Sequence, residues 1–223
     1  MADVKAFAEI VKSGDLAAVK TALRDDPSLL NTRNDAGQSP LLLAKYYRHP
    51  AIADYLLTLG PALDVFEASA AGLEEHVLRD IDADPEMLKR HSTDGWTPLH
   101  LAAYFGHKHL AESLLDRGAK ADTRSNNAMT NTPLHAAVAG GHAGLVELLL
   151  RRGADPDARQ HGGWTSLHGA AQSGNREMIE VLLAYGAKTN ATADNNQTPL
   201  DLALTQGRTE AAELLEQLGA RSK

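Results

Sequence analysis

One spacing constrains this chain more than any other feature. Thr97-Pro98-Leu99-His100 returns as Thr132-Pro133-Leu134-His135, as Thr165-Ser166-Leu167-His168 and as Thr198-Pro199-Leu200-Asp201, at steps of 35, 33 and 33 residues. Other positions keep the same step. Ala102-Ala103, Ala136-Ala137 and Ala170-Ala171 follow the motif, and Gly106-His107, Gly141-His142 and Gly174-Asn175 begin nine residues after each Thr. Leu114-Leu115, Leu149-Leu150, Leu182-Leu183 and Leu214-Leu215 precede Gly118-Ala119, Gly153-Ala154, Gly186-Ala187 and Gly219-Ala220. A unit of this length cannot bury its own apolar face, so successive units must stack and share one continuous core.

Local chemistry says what each unit is. The motif Thr is placed to cap a helix, Pro takes the first helical position where no N–H is needed, and His at the third position can reach back to the cap. Runs such as Leu145-Val146-Glu147-Leu148-Leu149-Leu150 and Met178-Ile179-Glu180-Val181-Leu182-Leu183 carry a helical apolar face for a second helix. Gly118, Gly153 and Gly186 end that helix in the left-handed conformation glycine tolerates. Each unit therefore reads as helix, turn, helix and projecting finger.

The pattern over residues 94–220 resembles the ankyrin repeat, with its 33-residue period and T-P-L-H-x-A signature. The resemblance implies an all-α solenoid and a stand-alone repeat domain of bacterial type. The N-terminal part is more degenerate and repeats at an offset of 58. Sliding residues 14–60 onto 72–118 gives 16 identities in 47 positions, Asp26-Pro27 on Asp84-Pro85, Tyr46 on Tyr104 and His49 on His107 among them. A two-repeat block has been duplicated, and it is about eight residues short of two full units. The position equivalent to Thr97 falls at Leu63, only three residues after Gly60, so the finger between the second and third units is missing and Gly60-Pro61 forms a tight corner. Seven helix pairs are expected: about 3–25, 40–59, 64–82, 98–117, 133–152, 166–185 and 199–218. They form one domain over 1–223, with an N-terminal capping repeat (1–36), two degenerate repeats (37–93), three well-matched repeats (94–194) and a C-terminal capping repeat (195–223). Glu210, Glu213, Glu216, Gln217 and Lys223 fit the polar outer face of that last cap.

Composition removes several functional classes. A net charge of −7 disfavours phosphate binding, and no cysteine is present for a disulfide, a thiolate metal site or a thiol nucleophile. The N-terminus carries charges where a signal peptide would be apolar, and no run reaches the 18 apolar residues of a membrane span, so a cytoplasmic protein is expected. Of ten histidines, His100, His135 and His168 belong to the capping motif and His49, His107 and His142 to the turn into the second helix, which makes them structural rather than ligands. His107 and His109 diverge on a helix. No G-x-G-x-x-G, P-loop or G-x-S-x-G is present. No catalytic residue, cofactor or metal is expected, nor is any nucleic-acid or membrane partner.

Residues 64–94 hold nine acids against three Lys or Arg, a local net of −6, which reads as a solvated helix and loop. The aromatics are more informative, because there are only ten. The ankyrin resemblance implies that the residue before the motif Thr and the two before the following Gly face the fingers and the concave groove, where the family binds partners. Tyr46, Tyr47, Trp96, Tyr104, Phe105 and Trp164 occupy those positions, and Tyr185 precedes a helix-ending Gly. Trp and Tyr dominate interface hot spots, so the six form the expected recognition patch of a monomeric, non-enzymatic protein-binding module. On this reading their side chains are not needed to fill the core between repeats. Two alternatives stay open: a regulator holding a small ligand or metal at the groove through Trp96, Tyr104 and nearby histidines, and an enzyme built from dispersed Asp and His.

Overall fold

In the computed structural model, which describes residues 3–222, fourteen α-helices follow one another as seven pairs. These are α1 (Val4–Ser13) and α2 (Leu16–Asp25), α3 (Pro40–Tyr46) and α4 (Pro50–Thr58), α5 (Val65–Ala71) and α6 (Glu74–Ala83), α7 (Pro98–Phe105) and α8 (Lys108–Asp116). Then come α9 (Pro133–Gly140) and α10 (Ala143–Arg151), α11 (Ser166–Ser173) and α12 (Arg176–Ala184), and α13 (Pro199–Thr205) and α14 (Thr209–Gln217). No strand occurs among the described residues. First helices stack on first helices, as α7 on α5 and α9 on α7, while α8, α10, α12 and α14 form the second layer. Each expected helix pair is present. Glu210, Glu213, Glu216 and Gln217 face solvent on α14, whereas Lys223 lies outside the described residues.

The capping motif does more than start its own helix. At each of the first three motifs the Thr N–H and hydroxyl both lie against the histidine Nδ1, the hydroxyl at 2.8, 2.8 and 2.9 Å for the Thr97–His100, Thr132–His135 and Thr165–His168 pairs. A backbone N–H can only donate, so Nδ1 is the acceptor and Nε2 carries the proton. That Nε2–H donates to the carbonyl of the residue before the next motif: Asn131 from His100, Trp164 from His135 and Gln197 from His168. The same carbonyls close their own fingers, accepting the N–H of Ser125, Gln160 and Ala193. Each buried histidine thus ties its helix to the base of the following finger.

A second set of bonds joins the turns. His49, His107 and His142 donate from Nε2 to the carbonyls of Lys12, Ala70 and Tyr104 in the preceding repeat, and Arg208 Nε reaches Gln172 in the same way. The first two bonds are related by the 58-residue offset. So are the short 3₁₀ turns opened by Asp26-Pro27 and Asp84-Pro85, whose Asp backbones share φ −142° and ψ 92°. Glycine is required under these histidines for two reasons. Gly72 and Gly106 have φ of 75° and 86°, and a Cβ on them would lie 2.4 Å from a His107 atom or 2.6 Å from a His142 atom.

The N-terminal junction departs from expectation in register. Asp64, not Leu63, caps α5, accepting the N–H groups of Phe66 and Glu67, while Glu67 accepts the Asp64 N–H at 3.0 Å. Leucine has no acceptor for a cap, so the helix starts one residue later, at the first side chain that has one. The missing finger also leaves a seam in the core. Buried residues from Phe7 to Leu56 form one cluster and those from Val65 to Leu215 another, the break falling across Gly60-Pro61. Arg33 bridges it, donating to Asp64 at 3.2 Å and to buried Glu67 at 3.1 Å.

Candidate functional site

The six aromatics do not act as one set. Tyr46, Trp96, Tyr104 and Phe105 form a continuous ring cluster: Trp96 and Phe105 each meet Tyr104 edge to face, at centroid distances of 5.1 and 5.0 Å, and Tyr46 lies 5.4 Å from Phe105. Lys45 places its ammonium 5.1 Å from the Phe105 centroid. The Tyr46 hydroxyl donates to Asp94, and burial, with that carboxylate beside it, pushes the phenol pKa up. Tyr47 turns away toward Lys12 and is half exposed. Trp164 stands two repeats along the stack from Trp96, its ring beside His168.

Tyr46, Trp96 and Phe105 lie half-buried on a third core cluster, Leu42, Ala70 and Leu101, and Tyr104 packs on the main one. The expectation that they leave the core unfilled is therefore corrected. Tyr46 belongs to the second repeat and Trp96, Tyr104 and Phe105 to the fourth, so the cluster spans the seam left by the missing finger. Each ring is thus partly buried, and Trp96 and Tyr104 also line the groove.

Beyond Tyr104 the groove deepens into a cavity of about 640 Å³, within the usual range for a ligand pocket. Trp96 and Trp164 flank it, Asn131 lies between them in stack order, and Val138, Ala139 and Gly169 line its inner wall. Its far end is formed by Gln172, Gln206 and Arg208. No acid lines it. His135 does, but burial holds its pKa down to about 4, so the guanidinium of Arg208 is its only charge near neutral pH.

Two departures from the internal repeat line this cavity. The residue after the motif His or Asp is Leu101, Ala136 and Leu202 in neighbouring repeats but Gly169 here, and the residue after the motif Thr is Pro98, Pro133 and Pro199 but Ser166 here. Glycine leaves the lining without a side chain there, and serine adds a buried hydroxyl that has no hydrogen-bond partner among the described residues. Both departures are visible in the sequence. What they open is not, because the opposite walls come from residues 30 to 70 positions away.

The acidic segment is largely engaged by the fold. Asp64 and Glu67 hold Arg33, Asp82 pairs with Arg117, Asp84 with Arg90, and Glu74 accepts from Ser113. No group of three or more His, Asp or Glu side chains among the described residues converges as a metal site, and no described helix is long and apolar enough to cross a membrane.

Comparison with known proteins agrees with the repeat geometry. The family model described as ankyrin repeats (3 copies) matches residues 65–160 and 144–222. Oxysterol-binding protein-related protein 1 of Mus musculus is 46% identical over 63 residues, which is 28% of this chain and 6% of that protein. Ankyrin repeat and SAM domain-containing protein 6 of Mus musculus is 36% identical over 120 residues, 54% of this chain and 11% of that protein. The similarity thus covers only a small part of each of these relatives.

Proposed function

Because this chain belongs to the ankyrin repeat family, whose repeats are in general protein-binding modules, we propose that it is a non-enzymatic binding module holding a protein partner on its concave groove and fingers. The observation that carries this reading is the aromatic surface running from Tyr46 through Phe105, Tyr104 and Trp96 to the cavity flanked by Trp164. Rings held by packing yet still partly exposed meet a partner at little cost in side-chain entropy, which is why such residues serve as hot spots. A standard interface takes about 800 Å² from each side, an area that a few adjacent repeats supply. Tyr47, exposed at the edge of the second repeat, extends the patch toward the N-terminal repeat.

The test is a comparison of variants in their capture of partners from the source cell. Trp164→Ala and Tyr104→Ala are each expected to weaken binding by about 2 kcal/mol or more. Melting curves on the same proteins separate lost binding from lost fold. Charge reversal at Glu74 and Glu75 is expected to alter only association rate and its salt dependence. If that reversal abolishes capture while the aromatic variants retain it, the binding surface is α6 and not the groove.

A further inference from the structure

We propose that the cavity between Trp96 and Trp164 takes an extended peptide segment of the partner, with an apolar side chain between the two indoles and a carboxylate at Arg208. This deepens the groove-binding reading and rests on it. The cavity is lined by polar groups that the fold leaves unused. Ser166 and Asn131, 1% and 7% exposed, each hold a buried side-chain oxygen without a hydrogen-bond partner. Such an atom normally costs stability, and it persists where something else completes it. The side-chain amides of Gln160, Gln172 and Gln206 and the indole N–H groups of Trp96 and Trp164 make no hydrogen bond among the described residues, Gln172 and Gln206 standing exposed at the rim.

These groups select one chemistry. Three primary amides present donors and acceptors together, which matches the alternating N–H and C=O groups of an extended chain. Two indoles flanking a wall of Val138, Ala139 and Gly169 match an apolar side chain. The charge at the end is decisive. Arg208 spends Nε on the Gln172 carbonyl at 3.2 Å and has no carboxylate partner among the described residues, although the chain carries 29 acids against 22 Lys and Arg. Glu210, Glu213 and Glu216 share the adjoining clefts with Arg208 but none forms an ion pair with it, so its guanidinium stays open to a carboxylate and repels a lysine or arginine.

The fold supplies its own conservative variants. Ser166→Pro restores the residue found at this position in three other motifs; the Ser166 N–H has no partner to lose, and Thr165 before it is extended (φ −100°, ψ 168°), as a residue preceding proline must be. Arg208→His restores the residue that makes the equivalent carbonyl bond at His107 and His142. Gly169→Leu restores the side chain found at Leu101 and Leu202 and fills the cavity.

The probe is a pool of acetylated, amidated short peptides with a central Phe and one Asp at each other position in turn, beside matched pools carrying Asn or Lys and beside N-acetylphenylalanine as a free small acid. Both tryptophans of the chain line the cavity, so their emission and the melting midpoint report occupancy. The Asp pool is expected to bind at least about tenfold more tightly than the Asn pool, a ratio that Arg208→His erases, while Ser166→Pro and Gly169→Leu weaken both pools. The proposal is overturned if no pool binds up to about 1 mM, if the Lys pool binds best, if Arg208→His leaves the ratio intact, or if only the free acid binds. Failure of the pools with partner capture still lost in Tyr104→Ala would sink the pocket and leave the groove reading standing. Pools that bind while Tyr104→Ala and Trp164→Ala retain the partner would do the reverse.

Discussion

Acid should weaken this fold through its buried capping histidines. An unfolded histidine titrates near pH 6.5, whereas burial keeps His100 and His135 neutral down to about pH 4. Both nitrogens are already committed, Nδ1 as acceptor from Thr and Nε2 as donor to a carbonyl, so protonation must break the bond to Thr97 or Thr132. The folded pKa lies below the unfolded one. The unfolded chain therefore binds protons first, and stability fully present above about pH 6.5 is lost as pH falls toward about 4. Near pH 5.5 each site binds close to one proton more in the unfolded chain, a slope of about 1 kcal/mol per pH unit. Between about pH 7.5 and about pH 5 the pair withdraws about 4 kcal/mol, a large part of an ordinary domain's stability. His168 and His107 are shifted down by burial as well and add to the loss. The assay is urea unfolding at a series of pH values, followed by far-ultraviolet circular dichroism. His135→Gln keeps an acceptor for the Thr132 N–H and cannot titrate, and the chain itself tolerates Leu42, Glu67 and Asp201 at this position. This variant should be less stable at neutral pH but lose about 1 kcal/mol per pH unit from the acid slope, and a double variant with His100→Gln about twice that. An unchanged slope in the double variant would refute the assignment of these histidines as the acid-sensitive element.

Hydrogen exchange should show the first two repeats opening at lower free energy than the fourth to sixth, because the buried core is divided at Gly60-Pro61; equal protection on both sides would contradict the seam. Leu149→Ala, at a fully buried position of α10, should cost about 2 to 5 kcal/mol in urea unfolding. Thr97→Ala should cost about 1 kcal/mol, since its hydroxyl accepts the His100 N–H and lies against the same ring. Zinc titration by calorimetry should be indifferent to His107→Gln, whose ring nitrogen is engaged by the Ala70 carbonyl; submicromolar binding lost in that variant would reveal a metal site.

Much of this architecture is local and so could be read from the chain alone. The step of Thr97, Thr132, Thr165 and Thr198, the cap-and-proline chemistry and the apolar faces of α10 and α12 are short-range features that recur; they define the last four helix pairs, and the 58-residue offset extends the pattern to the first three, without reference to any partner element. The shortened junction could be read too; counting the repeat register pointed to Leu63, while the local capping pair Asp64 and Glu67 starts the helix one residue later. What tertiary structure alone decided depends on residues brought together across repeats. Trp96, Tyr104 and Phe105 occupy groove positions by register, yet only the stack reveals that Trp96 and Phe105 lie with Tyr46 on Leu42, Ala70 and Leu101, across the seam between two cores, while Tyr104 packs on the larger one. Likewise Ser166 and Gly169 are two deviations from an internal pattern, and they become a cavity only because Trp96, Asn131 and Arg208 are carried to its rim by neighbouring repeats. The period of a repeat is written within each unit, whereas the shape of a groove is a property of the distances between units.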